Sequence, residues 1–400
     1  MSQTEMLDQA RDLAEPIVAL RRAIHAEPEL GLANPKTRDK VRAALSHLPL
    51  EWREGPSTTG LVARLVGTGN GEGRRVLLRG DTDALPMDEE TGLPFASQVP
   101  GAMHSCGHDT HVAMLAGAAH LLCARADRLA GEVLFMFQPG EEGWHGARYM
   151  IDDGLLDPLP QAAFALHVMP DRPYGVIAGR AGPLLASADR FEITIEGRGG
   201  HASLPHQTLD PMPIACEVVG AIQTMVTRRF SVGDPVVVTV SEIHAGTAHN
   251  VIPDRVRMRG TMRTLSRANR VALHAQLPAL AKGIAAAHGL SAHVAIAEGF
   301  PVTVCDARAV DLGEAVAAEL GSPARFDRMS HPIMGAEDFA YVLDKVPGAM
   351  FFLGVAAPDA DLTQCRGIHS PRMMVDETAL PIGTALLAGC AERFLARGFA

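Results

Sequence analysis

The chain has 400 residues, 47% of them hydrophobic and 20% charged, which is enough apolar mass for more than one core. Its 46 acidic and 36 basic residues leave a formal charge of −10, which argues against the basic face that nucleic acid requires. No run of about eighteen apolar residues predicts a membrane span, and the acid-bearing start MSQTEMLDQARDLAEP lacks the apolar centre of a signal peptide.

In chain order, amphipathic helices are predicted over 4–26 and 36–47, followed by short apolar strands at 61–66 and 75–80. A helical pattern over 111–126 leads to a strand at 132–138, a short helix and a strand at 162–168. Apolar runs of this length between helices predict a parallel or mixed sheet covered on both faces. From residue 190 the pattern changes. Phe191, Ile193 and Ile195 alternate with strand period, and a helix follows at 210–229. Strands at 235–243 and 254–265, a helix at 268–289 and a strand at 292–299 complete a β-α-β-β-α-β order, the ferredoxin-like arrangement. In that second helix Val271, Leu273, Leu277, Leu280 and Ile284 are expected to face the core, with a bend at Pro278. The first style then returns, with helices at 306–320 and 336–344, a strand at 349–355 and a last helix over 377–395. The expected fold class is α/β, with a larger α/β/α domain (1–187 and 299–400) interrupted by a ferredoxin-like (βαββαβ) domain at 188–298.

The six cysteines, Cys106, Cys123, Cys216, Cys305, Cys365 and Cys390, show no small disulfide framework, so reduced thiols and a cytoplasmic location are expected. All but Cys106 are expected to be buried and inert.

Functional groups in α/β sheets collect on loops at the carboxyl ends of strands. RGDTDALP (79–86) and QPGEEG (138–143) follow predicted strands, and His167 closes another. MHSCGHDTH (103–111) and HSP (369–371) precede helices. Cys106 and His108, two residues apart, share one side of an extended backbone. Thiolate with imidazole suits zinc, and imidazole with carboxylate also suits manganese, cobalt or nickel. Glu142, His167 and His369 would complete a set of five donors, too many for one tetrahedral ion with an open position. Five suit two divalent ions that share a ligand, with an activated water between them. Neighbouring side chains diverge, so Glu142 is expected to bind metal and Glu141 to act as general base, then acid. Asp81 or Asp83 would fix the tautomer of a ligand histidine. Each feature alone is weak: an EE pair usually marks a solvated turn, and one histidine at a strand end is usually a core residue. Among the seventeen histidines, His120, His274 and His288 fall within helical patterns and read as structural. His25 reads as structural or substrate-lining.

Together with GRGGHASLPH, HNVIPD, GAEDFA and IHSP, these stretches resemble the bacterial hippurate hydrolase and plant auxin-conjugate hydrolase branch of the aminoacylase-type metallopeptidases. The likeness runs from about Arg21 through the last helix. It implies a zinc-peptidase-like catalytic domain with an inserted lid, agreeing with the order of elements above. It also implies Cys106, His108, Glu142, His167 and His369 as ligands, with Cys106 bridging two ions. Glu141 would carry the proton, His201 would stabilise the tetrahedral oxyanion, and Asn250 and Arg263 would hold the substrate carboxylate. Arg263 suits that role as a bidentate fork. The implied reaction is hydrolysis of a small N-acyl or N-aroyl amino acid, by a homodimer or higher homo-oligomer assembled through the lid. The sequence departs from the branch at Trp144 and His145, in a stretch usually rich in glycine. His104, His111, His145 and His206 have no assigned role. A dipeptidase or carboxypeptidase of the same family is the near alternative; a non-catalytic metal-binding protein and a cysteine-nucleophile hydrolase are more distant ones.

Overall fold

The computed structural model describes residues 3–400. The chain divides into a larger unit, ending first at Leu184 and resumed over Val304–His331 and Asp338–Ala400, and a smaller unit of Leu185–Thr303 and Pro332–Glu337. The divisions fall a few residues outside 187 and 299. Residues 332–337, expected in the larger domain, belong to the smaller one, because Ala186 N–H donates to the carbonyls of Ile333 and Gly335.

The larger unit opens with α1 (Gln3–Asp12) and α2 (Ala14–His25), where one helix over 4–26 was expected. The break has a local cause. Pro16 has no N–H to donate to the carbonyl of Asp12, which removes one helical hydrogen bond where α1 and α2 part. Then come α3 (Pro35–Leu45), β1 (Glu51–Glu54), β2 (Leu61–Val66), β3 (Arg74–Asp81), α4 (His108–Cys123), β4 (Gly131–Gln138), α5 (Gly146–Asp152), β5 (Ala162–Met169), β6 (Val176–Gly179) and β7 (Gly182–Leu185).

The smaller unit holds β8 (Ala188–Glu196), β9 (Gly200–His201), α6 (Pro211–Arg229), β10 (Val236–Ala245), β11 (Val251–Ile252), β12 (Arg255–Thr264), α7 (Arg267–Ala287) and β13 (Ser291–Phe300). Its main sheet has the order β10-β12-β8-β13, antiparallel throughout, which is the ferredoxin-like topology. Phe191, Ile193 and Ile195 turn inward from β8 as the alternation requires, onto Val218 and Ile222 of α6 and Leu273 and Leu277 of α7. Val271 is exposed, contrary to expectation: the buried face of α7 is Leu273, Leu277, Ala281 and Ala285, and the helix is continuous through Pro278.

The larger unit resumes with β14 (Thr303–Cys305), α8 (Ala307–Leu320), β15 (Arg325–Arg328), α9 (Ala340–Leu343), β16 (Gly348–Gly354) and α10 (Leu380–Arg397). Its eight strands take the order β1-β2-β4-β3-β5-β16-β6-β15. The central four, β4, β3, β5 and β16, are mutually parallel, with Asp81 level with Gln138 and Met169 level with Gly354. Their carboxyl ends therefore share one edge of the sheet. The helix spanning Glu377–Arg397 is long and apolar enough to cross a membrane, yet 83% of its apolar window is buried against the fold, so packing accounts for its composition. All six cysteines are free, but Cys216 is exposed and Cys123 and Cys365 are partly so, which corrects the expectation that five are buried.

Candidate metal centre

The shared strand edge gathers the expected donors. Asp81 ends β3, Glu141 and Glu142 follow β4, His167 lies near the end of β5, and Cys106 stands two residues before α4. The donor atoms of Cys106, His108 and His167 lie within 4.8 Å of one another, and so do those of Cys106, Glu142 and His369. The two trios share a single atom, the Cys106 sulfur. All five expected ligands thus meet in the larger unit.

Local backbone geometry explains how. Gly107 has φ +85°, and a Cβ there would collide with a methyl of Val168, so only glycine lets Cys106 and His108 point the same way. His369 is also left-handed, with φ +65°, a conformation costing a non-glycine residue on the order of 1 kcal/mol. Its N–H donates to Ser105 O at 2.7 Å, which docks this distant loop against the cysteine loop. Asp83 accepts from the N–H groups of Glu141 at 2.9 Å and Glu142 at 3.0 Å, fixing the turn that sends the two side chains apart.

The histidines sort by their second nitrogen. His167 gives Nδ1–H to Val168 O at 2.7 Å, leaving Nε2 toward the Cys106 sulfur 3.4 Å away. His111, unassigned from sequence, gives Nδ1–H to Asp81 at 2.6 Å and accepts Val168 N–H on Nε2 at 2.9 Å. With both nitrogens engaged it orients the site rather than binding an ion. Asp81 also stands 3.4 Å from His108 Nε2, and Asp83 stands 3.5 Å from His108 Nδ1. His104 is fully buried, and burial holds its pKa down to about 3, so it is neutral. His145 is left-handed with φ +59° and pairs with the Tyr341 hydroxyl at 2.9 Å. His206 is exposed in the smaller unit.

Whether these residues fit divalent ions can be read from their unmet atoms. Both ring nitrogens of His108 and Oε1 of Glu142 are buried without a hydrogen bond; His369 Nε2 stands 3.3 Å from that oxygen, but not in bonding geometry. Leaving such groups unsatisfied costs roughly 1–3 kcal/mol each. The field has the sign a cation needs. Burial pulls the His108 pKa down, but Asp81 and Cys106 outweigh it and hold the group well above its usual value. Cys106 and Glu142 likewise raise His369 to about 10. Burial pushes the Cys106 thiol up, so a bound cation is what would favour its thiolate. The donor set fits two ions sharing one sulfur.

Two further groups of residues were not legible as parts of the site. Beneath the centre, Arg79 is buried between Asp81 (2.7 Å), Gln138 (2.9 Å) and Asp338 (3.0 Å). Behind α4, Asp109 accepts from Arg21 at 2.7 Å and pairs with His25 at 2.8 Å, while His25 reaches Glu89 at 3.2 Å. Both Arg79 and Asp338 fall inside quoted motifs, but nothing in a linear sequence pairs them. His25 is therefore structural, one of the two roles open to it.

In the smaller unit, His201 and Asn250 are neighbours: His201 pairs with Val251 in the β9–β11 ribbon, and Ala202 N–H donates to Asn250 O. His201 Nδ1 accepts from Ser203 N–H at 3.2 Å and lies 2.8 Å from its hydroxyl, which leaves Nε2 to carry the proton. Arg263 is half-buried on β12, an interior strand.

Comparison with known proteins places these features. A model of the peptidase family M20/M25/M40 matches residues 77–393. The thermostable carboxypeptidase 1 of Saccharolobus solfataricus is 36% identical over 98% of both chains. An N-acetylcysteine deacetylase of Bacillus subtilis is 37% identical over 93% of this chain and 95% of its own. The IAA-amino acid hydrolase ILR1-like 4 of Arabidopsis thaliana is 36% identical over 97% and 88%. Among solved structures, a dinuclear metal-binding peptidase of Bacillus subtilis superposes with a TM-score of 0.83 at 34% identity, over 96% of this chain and 99% of that one.

Proposed function

The chain belongs to the peptidase family M20/M25/M40, a family of metal-dependent hydrolases, and on that premise we propose that it cleaves the amide bond of N-acyl or N-aroyl amino acids, releasing a carboxylic acid and a free amino acid. The observation that carries this reading is the pair of donor trios meeting at Cys106, with the carboxylate of Glu141 beside His108 and Glu142 and needed by neither trio.

Two divalent ions held by Cys106, His108, Glu142, His167 and His369 would supply Lewis acidity, polarising the scissile carbonyl and acidifying the attacking water. The protein does the rest. Glu141 takes the proton from that water and returns it to the departing amine. Its backbone is clamped by Asp83, so the carboxylate needs little reorganisation. Asp81 holds His111, and the carbonyl of Val168 holds His167 in the tautomer that leaves Nε2 free. His201, with its proton on Nε2, is prepared to donate to the oxyanion that forms as the carbonyl is attacked. Arg263 and Asn250 take the substrate carboxylate. A cytoplasmic location and assembly through the smaller unit belong to the same reading.

The likeness to carboxypeptidase 1 favours a second reading, in which the acyl group is itself an aminoacyl residue. Comparing kcat/KM for N-benzoylglycine and glycyl-phenylalanine separates the two. The test of the shared mechanism is Glu141→Gln. It should retain two ions per chain and lose on the order of 1,000-fold in kcat. Substantial residual turnover would remove Glu141 from its role. Alkylation of metal-free protein that abolished an activity present without metal would favour a cysteine nucleophile instead.

A further inference from the structure

Asp338 is completely buried in the larger unit, 200 positions along the chain from the residue it grips most closely. Its Oδ1 accepts from Gln138 Nε2 at 2.7 Å and from Arg79 Nη2 at 3.0 Å. Its Oδ2 accepts from Gln138 Nε2 at 2.8 Å and from the backbone N–H of Ala147 at 2.9 Å. Gln138 is the last residue of β4, and Ala147 is the second of α5. One carboxylate therefore holds both ends of the turn 139–146, which carries Glu141 and Glu142. Gly146 N–H closes the same turn onto Gly140 O at 3.1 Å, and Asp83 holds its middle.

Arg79 extends the contact to the other side of the centre. It donates to Asp81, which takes Nδ1–H of His111, and His111 accepts the N–H of Val168 next to His167. The glutamate turn and the histidine strand end are thus referred to a common buried node.

A buried ion pair is weak evidence of stability, because desolvation offsets most of the attraction and apolar residues can often replace it. What this node does supply is direction. Each acceptor lobe of Asp338 has a fixed donor, so the turn has little freedom to shift along or twist about the strand.

We propose that Asp338 is a positioning residue that sets where Glu141 and Glu142 sit over the metal centre. This rests on the reading of Glu141 as proton carrier and Glu142 as ligand. A displacement of about 1 Å in such a group costs on the order of 100-fold in rate.

The test is Asp338→Asn in the full chain loaded with zinc, which preserves volume while replacing an acceptor oxygen by a donor. The expected kcat per metal-loaded chain falls roughly 30-fold or more, with KM within about threefold. In chelator competition one of two ions is expected to bind about tenfold more weakly and the other to be unchanged. Gln138→Met, which cuts the anchor at one end of the turn, should show a smaller change in the same sense, and it carries the test if Asp338→Asn does not fold. The proposal is overturned if kcat per loaded chain and the competition curves match wild type. It is equally overturned if the loss of rate equals the loss of folded, loaded protein. Wild-type protein inactive on every N-acyl amino acid would reject the proposed function instead, and the competition curves would still decide the role of Asp338.

Discussion

At Gly107 the demands of chemistry and backbone coincide. Two proposed ligands flank a residue whose φ of +85° and contact with Val168 leave no place for a side chain. Gly107→Ala should therefore leave the unit folded while rotating Cys106 or His108 away, and elemental analysis should find fewer than two ions per chain. Full metal content would show that the loop has more room than its geometry indicates. The donor groups that the fold brings together were legible, because Cys-x-His, an EE pair and isolated strand-end histidines each stand at an element boundary. His111 was not. It lies one helical turn from the proposed ligand His108, and only the fold reveals that both its nitrogens are already taken. Trp144 is more than half exposed, with its indole against Gly31, three positions from Glu141. Trp144→Ala should lower kcat/KM for N-benzoylglycine more than for N-acetylglycine, because an aromatic contact is worth about 1 kcal/mol beyond its area. Equal losses on both substrates would take Trp144 out of the acyl site.

Among the elements, α2 and α4 are joined by charge as well as by packing. Arg21 and His25, one turn apart on α2, both meet Asp109 in the first turn of α4. Burial lowers the pKa of His25, but the charge of Asp109 and the hydrogen bonds that His25 donates to Asp109 and Glu89 outweigh it and raise the group to about 9 from 6.5. A raised pKa in the folded state contributes stability that is complete below about 6.5 and is lost as pH rises through about 9. The contribution is on the order of 3 kcal/mol at most. Urea unfolding of wild type near pH 6 and near pH 10 should show this loss, and His25→Gln should show a much flatter dependence. Parallel slopes for the two proteins would contradict it. Helix and strand order was largely readable from periodicity, since the long elements carry their burial pattern in the chain. The short strands β1, β6 and β15 were missed because four residues hold too few alternations to signal a strand, and their pairing partners lie far away in sequence.

For the whole molecule, two cores imply two responses to metal. All five proposed ligands belong to the larger unit, while Ile193, Val218, Met258 and Leu277 close an independent core in the smaller one. Ligand linkage stabilises only the fold that binds. Calorimetry of the zinc-loaded and chelated protein should therefore show one transition that moves down on chelation and one that stays. A single transition that shifts as a whole would show that the units unfold together. The inserted topology was legible because residues 190–299 change from long buried runs to strict alternation. The return of residues 332–337 to the smaller unit was not, since it rests on backbone hydrogen bonds near Ala186 that leave no trace in side-chain pattern. The proposed site and function both depend on two trios sharing one sulfur. Anomalous scattering from crystals of the zinc-loaded protein measures it directly. Two peaks are expected, each about 2.3 Å from the Cys106 sulfur. A single peak, or two with Cys106 bound to neither, would contradict it.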